Sequence, residues 1–155
     1  MAVKRRDGIM IYDAADYEGM RKAGKVAGEW LDYITPYVQV GVTTGELDDL
    51  CREFMINKGA VPACLGYHGY PKSTCISINH VICHGIPGPD RKLADGDILN
   101  IDVTAIVDGW YGDTSRMYYA GKPKLKATRL CDVTYECMMR GIDVVKPGAH
   151  FGDIG

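Results

Sequence analysis

Asp108-Gly109 lies between two ten-residue runs, Ile98–Val107 and Trp110–Tyr119, both rich in β-branched and aromatic residues. Asp-Gly is a favoured pair for a type I′ turn, whose twist matches that of the strands it joins. A chain with this pair in this position is committed to a long antiparallel hairpin. Each arm carries one aspartate, Asp102 and Asp113. With Asp108-Gly109 as the loop, cross-strand partners have numbers summing to 217, so Asp102 faces Ser115 and Asp113 faces Thr104. The two aspartates are then diagonal neighbours on one face, with Cα atoms about 7–8 Å apart. With the loop slipped to Val107-Asp108 the sum is 215 and they stand directly opposite. Both registers aim two carboxylates at one point. Burying them side by side is costly unless cations neutralise them, and carboxylate oxygens suit hard or borderline divalent ions. The other reading puts both on the solvated face of a half-exposed hairpin, and spacing alone leaves the two open. Two carboxylates are also too few for a tight dinuclear site, so further ligands must lie elsewhere.

The rest of the chain supplies helices around this hairpin. Met20, Ala23, Ala27, Leu31 and Ile34 recur at three- and four-residue steps, which predicts a helix from about Asp13 to Ile34, stopped by Pro36. Thr43 followed by Glu46 is a capping box, and Leu47, Leu50, Cys51 and Phe54 form one apolar face of a second helix that Gly59 ends. Strands are expected around Thr74–Ile78 and Val81–Cys83, separated by an Asn79-His80 turn. A third helix from about Ala127 to Val145 carries Leu130, Val133, Cys137, Met138 and Ile142 on one side, before Pro147-Gly148.

At 155 residues the chain has the length of one domain and enough surface to bury a real core. A net charge of -2, from 18 basic and 20 acidic residues, gives no electrostatic case for nucleic acid or a membrane surface. The cluster Lys4-Arg5-Arg6 reads as a solvated tail. There is no signal-peptide core and no apolar run of the roughly 20 residues that a membrane span needs. Six cysteines without two-residue spacings read as reduced thiols, mostly buried, in a cytoplasmic protein.

An internal echo adds organisation. Val38, Gly41, Gly45, Glu46 and Leu47 align with Val145, Gly148, Gly152, Asp153 and Ile154 at a constant separation of 107, and Val26 and Glu29 align with Val133 and Glu136 at the same separation. Helix, glycine-marked turn and capped second helix thus occur twice. The expected division is 1–120 as a first half and 121–155 as the start of a second, so that the chain is a piece of a longer two-fold repeated domain. His84 sits between strand residues and a Gly-Pro turn, where a histidine is more often structural than catalytic; His68, His80 and His150 lie in expected turns. No dinucleotide fingerprint, phosphate loop or serine elbow is present.

Three stretches carry a resemblance. Cys64-Leu65-Gly66-Tyr67-His68-Gly69-Tyr70-Pro71-Lys72-Ser73, Cys83-His84-Gly85-Ile86-Pro87, and Asn100-Ile101-Asp102-Val103-Thr104 with Gly112-Asp113-Thr114-Ser115 resemble type I methionine aminopeptidases, in order and over essentially the whole chain. The resemblance implies an α/β (α+β) pita-bread fold, a pseudo-two-fold antiparallel sheet with flanking helices. It implies removal of the initiator methionine from nascent chains in the cytoplasm, close to the ribosome, by a monomeric full-length enzyme acting on peptides with N-terminal Met. It implies two divalent ions (Co, Mn, Fe or Zn), with Asp102 chelating one and Asp113 bridging both. His84 matches the histidine at the scissile peptide. Cys64, Tyr67, Tyr70 and Cys75 match the methionine pocket, whose soft lining suits a thioether. Asn79 and Val81 match backbone positions that hold a monovalent cation.

The chain departs from the family pattern at its end. The family's remaining ligands, one His and two Glu, and its second active-site histidine have no counterpart before Gly155, so this piece is expected to bind two metals poorly and to turn over little or no substrate. The incomplete sheet is expected to expose an apolar face and to self-associate. Competing readings are a proline-specific aminopeptidase of the same fold, a type II methionine aminopeptidase, and a pita-bread binding module without catalysis.

Overall fold

The computed structural model describes residues 3, 4 and 7–155, with side chains from Asp7 onward; of the Lys4-Arg5-Arg6 cluster, Arg5, Arg6 and the Lys4 side chain lie outside what is described. A two-residue strand pair, β1 (Val3–Lys4) with β2 (Met10–Ile11), precedes the main body. Helix α1 (Ala14–Ile34) starts at Asp13, whose carboxylate accepts the Ala15 and Asp16 N–H groups while Asp16 accepts the Asp13 N–H. These bonds satisfy donors that a helix start leaves unpaired. The buried stripe of α1 is Ala23, Ala27, Trp30, Leu31 and Ile34. Met20, expected on that stripe, is 48% exposed. Gly19 faces the sheet one residue earlier, so close to the Trp110 indole that a Cβ there would collide with it.

Helix α2 (Thr44–Asn57) opens with the expected capping box: Thr43 N–H donates to Glu46 Oε2 at 2.7 Å and Glu46 N–H to Thr43 Oγ1 at 3.1 Å. Leu47, Cys51 and Met55 are buried, with Leu50 and Phe54 half-buried beside them. The chain then enters an antiparallel sheet of β3 (Val61–Pro62), β4 (Cys75–Ile78), β5 (Ile98–Val107) and β6 (Trp110–Tyr119). Strand β5 is the centre. Along one edge it pairs with all of β6, from Ile98 opposite Tyr119 to Val107 opposite Trp110. Its other edge is shared end to end by β3, at Ile106 and Ala105, and β4, from Asp102 to Leu99. Asp108 and Gly109 both have positive φ, 51° and 83°, and the 217 register is the one formed.

Val81–Cys83 is not a strand. After Asn79, itself at φ 52°, the chain leaves β4 and returns at Gly85, where one backbone bond (Ile76 N–H to the Gly85 carbonyl, 2.8 Å) and one to the Ser77 hydroxyl (3.1 Å) replace a ladder.

Alternation on β5 sorts the two faces. Leu99, Ile101, Val103 and Ala105 are buried in the core with residues of α1 and α2, whereas Asn100, Asp102 and Thr104 face the other way. Helix α1 lies directly on β6, because a Cβ at Gly112 would collide with the Ala23 backbone. Tyr118 fastens it, donating its hydroxyl to the Leu31 carbonyl at 2.6 Å.

Helix α3 (Leu125–Asp143) buries only Cys131 and Gly141. Its expected apolar stripe points outward, with Leu130 61% exposed and Val133, Cys137, Met138 and Ile142 also exposed. The 107-residue echo has a local counterpart. Gly41 and Gly148 have φ of 93° and 90°, and the Thr43–Glu46 bond recurs as His150 N–H to Asp153 Oδ2 at 2.8 Å. A single 3₁₀ turn, Phe151–Asp153, follows in the second place. All six cysteines are free; Cys51, Cys75 and Cys131 are buried, but Cys83 and Cys137 are exposed, fewer inside than composition suggested. Among the described residues no helix is long and apolar enough to cross a membrane.

Candidate active site

The face of β5 turned away from the helices opens into a cleft of about 690 Å³, walled by the 63–71 segment and by the chain around His84. Cys64, Tyr67, Tyr70, Cys75, His84, Asp102 and Asp113 all line it, brought together from the 63–71 segment, β4, the chain around His84, β5 and β6. Asn79 and Val81 do not. Asn79 stands beyond the far end of β4, where its amide nitrogen donates to Asp97 at 2.7 Å and its oxygen accepts the Ile98 N–H at 3.1 Å. Of the further lining residues, His68, Ile86 and Tyr111 carry no signal separable from an ordinary turn or strand. Alternation from Asp102 would have found Thr104.

Register explains the floor. Asp102 faces Ser115 and Thr104 faces Asp113, so the two aspartates sit diagonally and Thr104 Oγ1 donates to Asp113 Oδ1 at 3.1 Å. Burial, and then the Asp113 charge, push the Asp102 carboxyl above its ordinary value, against an opposing pull from His84. Cys75 enters the floor as the β4 partner of Asp102. The neighbouring Cys64 thiol, as hydrogen-bond donor, pulls the Cys75 thiol down to about 6, while Cys64 and the half-buried Tyr70 hydroxyl move up. His84 has φ 55°, a left-handed backbone uncommon outside glycine. Tyr70 directs its hydroxyl at two carbonyls, Thr74 at 2.9 Å and Gly85 at 3.2 Å, tying one wall to the other.

The donor chemistry suits a divalent ion in kind, since Asp102 and Asp113 supply carboxylate oxygens at one point. It falls short in number: among the described residues no group of three or more His, Cys, Asp or Glu could hold a metal.

The chain is 58% identical over 147 residues to a curated methionine aminopeptidase of Rickettsia prowazekii, a match that covers 95% of this chain and 56% of the relative; it thus spans little more than half the relative's length. The crystal structure of the methionine aminopeptidase from that organism superposes with a TM-score of 0.91 over 93% of this chain and 58% of that one. A Thermotoga maritima methionine aminopeptidase follows at 0.89 and 33% identity, over 93% of this chain and 58% of that one. A Pyrococcus furiosus prolidase, at 0.79 and 21% identity over 93% of this chain and 41% of that one, shares the fold alone. These neighbours have the pita-bread fold expected from the sequence. The model of metallopeptidase family M24 matches residues 18–155, and the chain belongs to that family.

Proposed function

We propose that this chain forms the methionine-binding and carboxylate-bearing part of an aminopeptidase that removes the initiator methionine from nascent polypeptides. The observation that carries the reading is the single cleft in which a thiol- and tyrosine-lined pocket adjoins the Asp102–Asp113 pair. In this reading Cys64, Tyr67, Tyr70 and Cys75 receive the thioether side chain, with soft sulfur against soft sulfur. His84 donates a hydrogen bond beside the scissile carbonyl, a contact that strengthens as negative charge develops there. Asp102 and Asp113 would contribute carboxylate oxygens to a divalent ion. M24 peptidases are metallopeptidases, and a divalent ion would supply Lewis-acid polarisation and a water of lowered pKa.

The finer proposals are two ions drawn from Co, Mn, Fe and Zn, a monovalent cation at Asn79 and Val81, action in the cytoplasm near the ribosome, and 121–155 as the opening of a second half-domain. With two carboxylates in place of a full ligand set, the 155-residue chain itself is expected to bind Mn weakly and to show little turnover. Isothermal titration with Mn and hydrolysis of a methionyl tripeptide test this, and tight two-site binding with turnover would refute it. The pocket assignment has a separate test. Methioninamide should slow alkylation of Cys64 and Cys75, leave the exposed Cys83 unaffected, and outperform lysinamide; equal effects of the two amides would overturn it.

A further inference from the structure

We infer that Asp48, on the second turn of α2, is a positioning residue that fixes the two walls of the cleft relative to each other. Its side chain is 4% exposed, and one oxygen accepts three hydrogen bonds: from Ser73 N–H at 2.9 Å, Thr74 N–H at 2.9 Å and the Thr74 hydroxyl at 2.8 Å. Lys72 Nζ approaches the other oxygen at 3.7 Å. A buried carboxylate with this many charge-assisted bonds holds its partners firmly, because losing them would strand the charge. Ser73 is held by its backbone N–H, since its hydroxyl is buried with no hydrogen-bond partner.

The clamp reaches the other wall by two routes. Tyr70 bridges the Thr74 carbonyl to that of Gly85, the residue after His84. The first turn of α2 grips the same loop further on, with Gly88 N–H donating to Thr44 Oγ1 at 2.9 Å and Gly45 N–H to the Gly88 carbonyl at 3.0 Å. Cys75 follows Thr74 in sequence and His84 precedes Gly85, so both cleft residues adjoin clamped ones. The role of the clamp rests on the proposed methionine pocket, but its geometry can be tested without substrate.

In Asp48→Asn and Asp48→Ala, maleimide labelling read residue by residue at one pH should accelerate at Cys64 and Cys75 by about fivefold or more, as local opening requires. Cys51, 0% exposed and one turn along the same helix, should stay as unreactive as before. Unchanged rates at Cys64 and Cys75 would overturn the inference, and so would parallel opening of Cys51, which would reduce Asp48 to a stabilising residue. Should both variants fail to fold, Tyr70→Phe leaves the carboxylate paired and cuts only the bridge. Amide exchange at Gly85 should then speed up while Ser73 and Thr74 stay protected; no change at Gly85 would overturn the inference. Failure of the methionine reading would appear elsewhere, as absent methioninamide protection in the unaltered chain.

Discussion

Asp97, just before β5, and Asp102, within it, are pushed in opposite directions by their surroundings. Burial alone would raise the Asp97 carboxyl, but the Ala94 N–H at 2.9 Å, the Asn79 amide and the Arg91 guanidinium at 3.1 Å together hold it below its ordinary value. A depressed folded-state pKa gives stability that is complete above the unfolded value and is lost as pH falls through the folded one. Asp97→Asn should therefore destabilise the chain at pH 7 by about 1–3 kcal/mol, the cost of breaking buried charge-assisted bonds, with the gap closing below about pH 4. Urea unfolding across a pH series measures both. Asp102 has the opposite sign, since burial and Asp113 raise it. In the metal-free chain it withdraws stability as pH rises from the unfolded value through the folded one. Asp102→Asn should thus stabilise the metal-free chain at neutral pH, by on the order of 1 kcal/mol or less, and lose that gain in acid. A variant less stable than the parent at pH 7 would contradict this reading of the carboxylate floor.

Elements whose start chemistry is local are legible in the sequence. The Thr43–Glu46 box and the α1 start depend on side chains within three residues of the backbone they satisfy, and the Asp108-Gly109 turn on two adjacent residues that take positive φ. Thr43→Ala should accordingly destabilise the fold by about 1 kcal/mol in thermal or urea melts, with Thr43→Ser close to neutral. What could not be read is what distant segments settle between them. The sharing of one β5 edge by β3 and β4 depends on where the 63–74 loop returns, and Asp48 looks like any polar helix residue until Ser73 and Thr74 arrive. The Val81–Cys83 run is strand-like in composition, yet Gly85 takes the ladder bond to Ile76. Gly112 is the converse case, a glycine in a strand whose reason is tertiary. Gly112→Ala drives a methyl into the Ala23 backbone, so α1 must lift from β6 at a cost of about 1–3 kcal/mol, readable as loss of Trp30 fluorescence burial and a lowered melting temperature.

At the scale of the whole molecule, the helices use their apolar stripes differently. α1 and α2 spend theirs on the hidden face of β5 and β6, in one core that runs from Ala27 to Ala120. α3 has equally helical periodicity, but Leu130, Val133, Met138 and Ile142 point outward, with Val145 and Phe151 exposed just beyond. Apolar surface continuous along several turns is unusual on a protein that remains single in water, and the hydrophobic effect favours covering it. A second copy of this chain offers the same stripe, and two such stripes can meet about a two-fold axis with each residue facing an apolar partner. The 155-residue chain should therefore sediment as more than a monomer, with the heavier species growing as concentration rises. Leu130→Glu with Met138→Glu places like charges across that axis and should return the chain to monomer. Cys51 should stay unreactive in that variant, because α3 contributes only Cys131 and Gly141 to the buried set. A clean monomer for the unaltered chain at every concentration would mean that the stripe tolerates water as it stands, and charge on α3 would then leave sedimentation unchanged.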